Sequence, residues 1–323
     1  MNIIDIFKLG MIDGLEKSKP KHVITFISNI FIFEDKVYKI YKTDNELFNK
    51  NYNDLSDKKK RFAFTRKDFD WNNRLSPEIY TKLSGVIVSG ESIKFVPPTD
   101  EADELVIEMN KIDMSNQIIM RLVENRISMD DCYEIGKQFG EKVLRLPKMV
   151  PAMTAYEDFK LRYRDFRDWV KSADEIPEDL GRKYIEYSLK FLEDHKSGFN
   201  STDLIGACVD VHADNAILNG KTFMTIDTYA TKEAWLQGYK FINIYRIASD
   251  IYAFLGKEYF EKVLEGYVKA TGEVLPREYD KFLIIYSELV MWPYQYMLAK
   301  HDKWRLDAAK RHGDFIEEIF QSK

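Results

Sequence analysis

The stretch that decides the fold is DVHADNAIL at residues 210–218, followed by the short apolar segment FMTID at residues 223–227. Asp210 is followed five residues later by an amide, Asn215, and a second acid, Asp227, ends the apolar segment. Phosphoryl transfer uses these residue types: one acid orients the attacking hydroxyl and can take its proton, while an amide and a second acid hold magnesium. Residues 210–218 alone would also fit a polar surface loop before an ordinary strand. The short apolar segment that ends in Asp227 favours the catalytic interpretation.

A second set of candidate residues lies in the N-terminal third. Residues 22–42, HVITFISNIFIFEDKVYKIYK, predict three short antiparallel strands with Lys39 in the third. Residues 58–75 predict a helix that carries Asp68 on its buried face. In phosphoryl transfer such a lysine binds the α- and β-phosphates and pairs with an acid on the following helix. Taken alone, Lys39 is more simply a solvent-exposed strand lysine and Asp68 an ordinary helix acid. Their combination with the candidate residues at 210–227 favours a phosphate-binding site.

The remaining pattern predicts an α+β fold in two lobes. Further strands are indicated by SGVIVSGESIKFVPP at residues 84–98 and ELVIEM at residues 104–109. After Met109 the sequence becomes mainly helical. We therefore predict a small antiparallel sheet with one helix at residues 1–109 for nucleotide binding, and a larger helical lobe at residues 110–323 for the catalytic loop and acceptor.

Composition restricts the possible functions of the chain. Its 323 residues include 48 basic and 53 acidic residues, with a net charge of -5, so bulk charge does not suggest a nucleic-acid partner. The two cysteines, Cys132 and Cys208, share no metal-ligand spacing and indicate neither a zinc site nor a disulfide framework. No run of apolar residues is long enough for a membrane span, and we expect a cytoplasmic protein. The oligomeric state is not predicted.

Three stretches resemble the aminoglycoside phosphotransferase-like proteins of the protein-kinase-like superfamily, in particular a bacterial and archaeal branch of largely unassigned substrate. They are ISNIFIFEDKVYKI at residues 27–40, NDLSDKKKRFAFTRKDFDWNNRLSPEIY at 53–80, whose end is similar to N-x-R-L-[AS]-P-x-[IL]-Y, and DVHADNAIL, similar to D-x-H-x-x-N. The resemblance implies the two-lobed kinase fold and the following roles: Lys39 for phosphates, Asp68 as its partner, Asp210 as catalytic acid, Asn215 and Asp227 for magnesium, His212 as a structural motif residue, and Asp250 as a brace of the catalytic loop.

The chain departs from the family pattern at several positions. Cys208-Val209 stand where His-Gly is usual, Asp68 stands where glutamate is more usual, and no acid follows two or three residues after Asp227. A glycine-rich phosphate loop is replaced by a hairpin with Thr25, Ser28 and Asn29, whose backbone would cover the phosphates. Adenine is expected near residues 108–110, which include Glu108 and Met109.

The expected function is an ATP- and Mg²⁺-dependent kinase that phosphorylates a hydroxyl of a small polar molecule such as a sugar or an aminoglycoside. Three alternatives stay open: a kinase acting on protein or RNA, a nucleotide-binding pseudokinase, and a helical scaffold that binds no nucleotide. The ordered set of Asp210, Asn215 and Asp227 argues against the scaffold, since a scaffold does not need metal-seeking side chains.

Overall fold

The computed structural model describes residues 1–14 and 18–322. The chain forms two compact units, one of Met1–Met114 with Met224–Lys232 and the other of Ser115–Phe223 with Glu233–Lys323. The boundary at residues 109 and 110 stays a prediction. It did not include the return of residues 224–232 to the first unit, because a packing partner more than a hundred residues away leaves no mark on local sequence patterns.

The first unit is one six-stranded sheet with helices, in the strand order β1-β2-β3-β6-β4-β5. Its elements are α1 (Ile3–Leu9), β1 (Lys21–Ile24), β2 (Ser28–Ile32), β3 (Lys36–Tyr41), α2 (Glu46–Asn51), α3 (Lys58–Leu75), β4 (Tyr80–Ser89), β5 (Ser92–Val96) and β6 (Glu104–Asn110). Every paired strand is antiparallel. The three strands predicted at residues 22–42 and the helix at 58–75 are confirmed, and two short helices, α1 and α2, accompany that helix.

Both faces of the sheet are covered, which explains why β3 is buried along nearly its whole length. Tyr38 and Ile40 pack in the core that includes Phe7 of α1. Because successive side chains of a strand point to opposite faces, Lys39 points to the other face, where α3 lies. Asp57 is the N-cap of α3, and its side chain accepts a hydrogen bond from the Lys60 amide. The helix buries the face that includes Asp68.

The second unit is mainly helical. Its helices are α4 (Ile118–Val123), α5 (Met129–Val143), α6 (Ala155–Lys171), α7 (Glu178–Asp194), α8 (Lys196–Phe199), α9 (Ile242–Leu255), α10 (Lys257–Thr271), α11 (Asp280–Ala299) and α12 (Arg305–Gln321). Its strands are β7 (Ile205–Ala207), β8 (Ala216–Asn219), β9 (Thr222–Thr225) and β10 (Gln237–Tyr239), with β7 paired to β10 and β8 to β9. The chain passes from the second unit into the first within β9.

Local signals set the helix starts in this unit. Ser128 and Asp131 form a capping box at the start of α5, and Thr154 and Glu157 form a second one at the start of α6. Within residues 1–14 and 18–322, none of the helices combines the length and apolar character that crossing a bilayer requires.

Candidate active site

Lys39 and two acids form a charged cluster inside the first unit. The Lys39 Nζ lies 2.7 Å from Asp227 Oδ1 and 3.4 Å from Asp68 Oδ2. Lys39 is only 4% exposed and Asp68 only 2%, whereas the Asp227 side chain is 59% exposed. The predicted pairing of Lys39 with Asp68 is therefore present, and Asp227 joins it from a distant part of the chain.

Burial and charge act in opposite directions on this cluster. Burial disfavours the charged form of Lys39, but the carboxylates of Asp227 and Asp68 together outweigh it and hold the Lys39 pKa well above its usual range. Burial raises the pKa of Asp68, against the attraction of Lys39. The ammonium of Lys39 thus stays charged at physiological pH and is neutralised by acids on two sides.

Asp227 follows the end of β9 in an unusual backbone conformation. Its φ of 52° lies in the left-handed region, which side-chain-bearing residues adopt uncommonly. The carboxylate contacts Lys39 with Oδ1 and keeps access to solvent. A solvent-accessible carboxylate oxygen is the kind of ligand that Mg²⁺ prefers, so the residue present fits the predicted metal.

In the second unit, the segment from residue 207 to residue 215 carries Asp210. The Arg246 Nη1 donates to Asp210 Oδ1 at 2.6 Å, and the Asp210 side chain is 50% exposed. Asn215 holds the turn from within: its Nδ2 donates to the Asp210 carbonyl, and its Oδ1 accepts from the His212 amide at 2.8 Å. The amide of Asn215 is buried in these loop contacts, and its magnesium role stays a prediction.

One face of α9 holds the Asp210 segment. Asn243, Arg246 and Asp250 occupy positions i, i+3 and i+7, which share a helix face. Asn243 accepts from the Val209 amide at 2.9 Å and donates to the Ala207 carbonyl at 2.8 Å. Asp250 Oδ2 accepts from the Ala213 amide at 2.6 Å, as its expected bracing role requires.

Sequence reasoning missed the roles of Asn243 and Arg246. A sequence signal for these roles was present. Asn243, Arg246 and Asp250 are polar residues at helical spacing within the otherwise mainly apolar helix INIYRIASDIYAFL. Behind Asp250 lie Glu288 and His312, both without exposed surface, with His312 Nδ1 2.7 Å from Glu288 Oε2. Burial raises the pKa of Asp250 to about 6.

Asp214 was also missed. Its Oδ2 accepts from Gln295 Nε2 at 2.9 Å, and its Oδ1 accepts from Arg305 Nη1. Burial opposes ionisation of Asp214, but His212 and Arg305 outweigh it and lower the pKa of that carboxyl. His212 is itself buried, with its Nδ1 accepting from the Asp214 amide at 3.3 Å. These contacts are consistent with the structural role expected of His212.

The hairpin of β1 and β2 is held by polar contacts instead of glycines. Ser28 is 2% exposed, and its hydroxyl lies 2.7 Å from Thr25 Oγ1. Asn29 Oδ1 lies 3.0 Å from His22 Nε2. The carbonyl of Thr25 accepts from Lys42 Nζ at 2.6 Å. These hydrogen bonds hold the turn between β1 and β2. The phosphate contacts expected of Ser28 and Asn29 stay a prediction.

Glu108 and Met109 lie near the end of β6. Met109 pairs with Val37 of β3 on one side and Tyr80 of β4 on the other, so both flanks of the strand are occupied there. The Glu108 carboxylate accepts from the Ser84 hydroxyl. The adenine contacts expected of these two residues stay a prediction.

Comparison with known proteins supports the fold. No protein-family model and no curated protein matches the chain. Among solved structures, the chain is similar to a choline/ethanolamine kinase family protein from Mesorhizobium loti at 12% identity, over 98% of this chain and 94% of that chain, with a TM-score of 0.53. The chain has the protein-kinase-like fold. The predicted α+β class and the predicted kinase-like fold are confirmed.

Two further structures match with lower scores. One is the ADP-bound aminoglycoside phosphotransferase APH(2'')-Ib, at 14% identity over 94% of each chain with a TM-score of 0.44. The other is glucosamine kinase in complex with glucosamine, ADP and inorganic phosphate, at 11% identity over 94% of this chain and 81% of that chain with a TM-score of 0.49.

In the protein-kinase-like fold, the predicted residues form two sets. Lys39, Asp68 and Asp227 meet within the first unit, although Asp227 is 188 residues from Lys39 in sequence. Asp210 and Asn215 meet within the second unit. Each set is held by side chains that the sequence patterns did not single out as functional.

Proposed function

We propose that this protein is an ATP- and Mg²⁺-dependent phosphotransferase that moves the γ-phosphate to a hydroxyl of a small polar molecule, such as a sugar or an aminoglycoside. The observation that carries the proposal is the buried Lys39 between Asp68 and Asp227. A strand lysine paired with a helix acid, beside a second acid that ends a short strand, is the arrangement by which kinases bind nucleotide phosphates.

Lys39 supplies the fixed charge for the nucleotide. Because the two acids keep it protonated, its ammonium can bind phosphate oxygens at any physiological pH. Asp68 is buried and stays with Lys39, so it orients the ammonium. Asp227 is more exposed and is free to exchange its contact with Lys39 for a metal ligand role.

Magnesium, when bound, would neutralise the charge on the transferring phosphates. The residues that would hold it are Asp227 and Asn215. Both offer hard oxygen atoms, which suit this ion better than sulfur or imidazole ligands do.

Asp210 is proposed to orient the acceptor hydroxyl and to take its proton. Its side chain is half-exposed, so an acceptor can reach it, while Arg246 fixes one carboxylate oxygen. The α9 contacts to residues 207, 209 and 213 keep the surrounding backbone in place. A positioned base of this kind contributes about a hundredfold or more to the rate.

Two features favour a small acceptor over a protein or an RNA. Only residues 228–241 separate Asp227 from α9, which leaves little chain for the activation loop and peptide groove of a protein kinase. The net charge of -5 gives RNA phosphates little to bind, and RNA binders depend on such contacts.

The test is a transfer assay with γ-labelled ATP, with and without Mg²⁺, against sugars, amino alcohols and nucleosides. Asp210→Asn should preserve nucleotide affinity and lower turnover by about a hundredfold or more. Glu258→Gln, an exposed acid-to-amide change at the start of α10, is the matched control and should change neither. Label on tRNA or protein alone would favour the macromolecular alternative, nucleotide binding without any transfer would favour a pseudokinase, and a lack of nucleotide binding would refute the proposal.

A further inference from the structure

Asp227 occupies a backbone conformation that needs support. At a φ of 52° a residue with a side chain is in the left-handed region, which is sterically unfavourable for it. Such a residue persists only when its surroundings fix it, and these residues concentrate at functional sites. The contacts of the flanking residues 225–228 therefore show what fixes it.

Three of the four backbone N–H groups of residues 225–228 donate to side chains, each to a different one. The Thr225 amide donates to Ser76 Oγ at 2.8 Å, and the Asp227 amide donates to Tyr80 Oη at 2.8 Å. The Thr228 amide donates to Asn72 Oδ1 at 3.0 Å. The chain that carries Asp227 is thus held by side-chain acceptors from α3, its C-cap and the start of β4.

The three acceptors come from one short motif. Asn72, Ser76 and Tyr80 are spaced four residues apart in NNRLSPEIY, at the end of the helix signature. All three have no exposed surface, and so do Thr225 and Thr228. A buried hydrogen bond here has no water to replace it, so losing an acceptor leaves an unsatisfied N–H group.

Two members of the motif also contact the acids of the Lys39 cluster. The Nδ2 of Asn72 donates to Asp68 Oδ1 at 2.9 Å, while its Oδ1 accepts from Thr228. The Tyr80 hydroxyl, besides accepting from the Asp227 amide, lies 3.5 Å from Asp227 Oδ1. One amide and one hydroxyl therefore bind both the backbone of the segment and the carboxylates beside Lys39.

We infer that Asn72, Ser76 and Tyr80 are positioning residues that impose the left-handed conformation of Asp227 and so aim its carboxylate. This assigns a physical role to the helix signature: its polar residues form a template for a segment that follows 147 to 156 residues later in the chain. That the aimed carboxylate of Asp227 binds Mg²⁺ rests on the proposed function. That Asn72, Ser76 and Tyr80 hold the backbone of Asp227 does not.

The decisive test is site-resolved amide hydrogen exchange by NMR on the full chain. Tyr80→Phe should accelerate exchange of the Asp227 amide about five- to tenfold, because that amide loses its acceptor, and Ser76→Ala should do the same for the Thr225 amide. Tyr38→Phe removes a hydroxyl from another buried tyrosine of the same unit and is the control, which should leave both amides unchanged. Unchanged Asp227 exchange in Tyr80→Phe would overturn the inference, and so would a uniform acceleration over the whole unit.

A second measurement separates positioning from simple support of the fold. The Mg²⁺ concentration that gives half-maximal nucleotide binding should rise about fivefold in Tyr80→Phe, with Mg²⁺-free nucleotide affinity unchanged. If Tyr80→Phe accelerates exchange of the Asp227 amide but leaves the Mg²⁺ requirement unchanged, the template does not aim the carboxylate. That result would overturn the inference that these residues orient the Asp227 side chain. If the wild-type protein itself shows no Mg²⁺-dependent nucleotide binding, the proposed function fails, and the exchange measurement still decides the template.

Discussion

The pairing of Lys39 with Asp68 can be measured as a coupling free energy. Lys39→Met keeps the volume of the side chain but removes the ammonium, which leaves Asp68 buried at 2% exposure without its cation. Removing one partner of a buried ion pair costs about 3–5 kcal/mol of stability. Because Asp227 is 59% exposed and regains water, we count only Asp68 and expect about 3 kcal/mol.

The second substitution, Asp68→Asn, removes the buried negative charge and leaves Lys39 with Asp227 at 2.7 Å. We expect a smaller loss of about 1–3 kcal/mol, since one hydrogen-bonding group of a buried network changes character. In the double variant no buried charge is left alone, so its loss should be about 1–3 kcal/mol less than the sum of the two single losses.

The assay is equilibrium unfolding in urea, comparing midpoints and slopes for wild type, both single variants and the double variant. Lys94→Met, on β5 of the same sheet with a side chain that is 53% exposed, is the matched control and should shift stability by less than about 0.5 kcal/mol. Losses that add to within about 0.5 kcal/mol would refute the coupling of Lys39 and Asp68.

Two further substitutions and one measurement of thiol reactivity test other parts of the protein. Asp227→Ala should abolish the Mg²⁺ dependence of nucleotide binding, measured by titration calorimetry, because the metal loses its carboxylate; binding as tight as wild type in Mg²⁺ would exclude Asp227 as a ligand. Arg246→Met should lower turnover by about tenfold or more at unchanged ATP affinity, since Asp210 loses the donor that orients it; an unaltered rate would show that this donor is dispensable. Finally, burial raises the pKa of Cys132 to about 12 and also raises that of Cys208, so the native protein should not react with a thiol reagent at pH 8, while the urea-unfolded chain should titrate two thiols.

The sequence predicted what local patterns encode. The strands at residues 22–42 and the helix at 58–75 follow from residue type and periodicity over windows of four to eighteen residues, and the structure has them. The pairing of Lys39 with Asp68 was predicted as well, because helix periodicity places Asp68 on the buried face and phosphoryl transfer pairs a strand lysine with a helix acid.

The contacts that hold the candidate catalytic and metal-binding residues were not predictable in the same way. Arg246 reaches Asp210 across 36 residues, and Tyr80 reaches Asp227 across 147. A hydrogen bond between such distant residues depends on how the elements pack, which single-sequence periodicity does not specify. Asp227 itself was found as a metal candidate, but its contact with Lys39 was not.

The return of residues 224–232 to the first unit sets an order for its biosynthesis. The sheet is complete once residue 114 has been made, yet Lys39 then lacks its contact with Asp227, and Asn72, Ser76 and Tyr80 lack the amides that donate to them. At about 5–20 residues per second, the ribosome needs on the order of ten seconds to make residues 115–223 before the missing segment follows. The nascent first unit is therefore completed only after about half of the second has been made. A gene fragment that ends at residue 114 should yield a domain whose Lys39 cluster lacks Asp227.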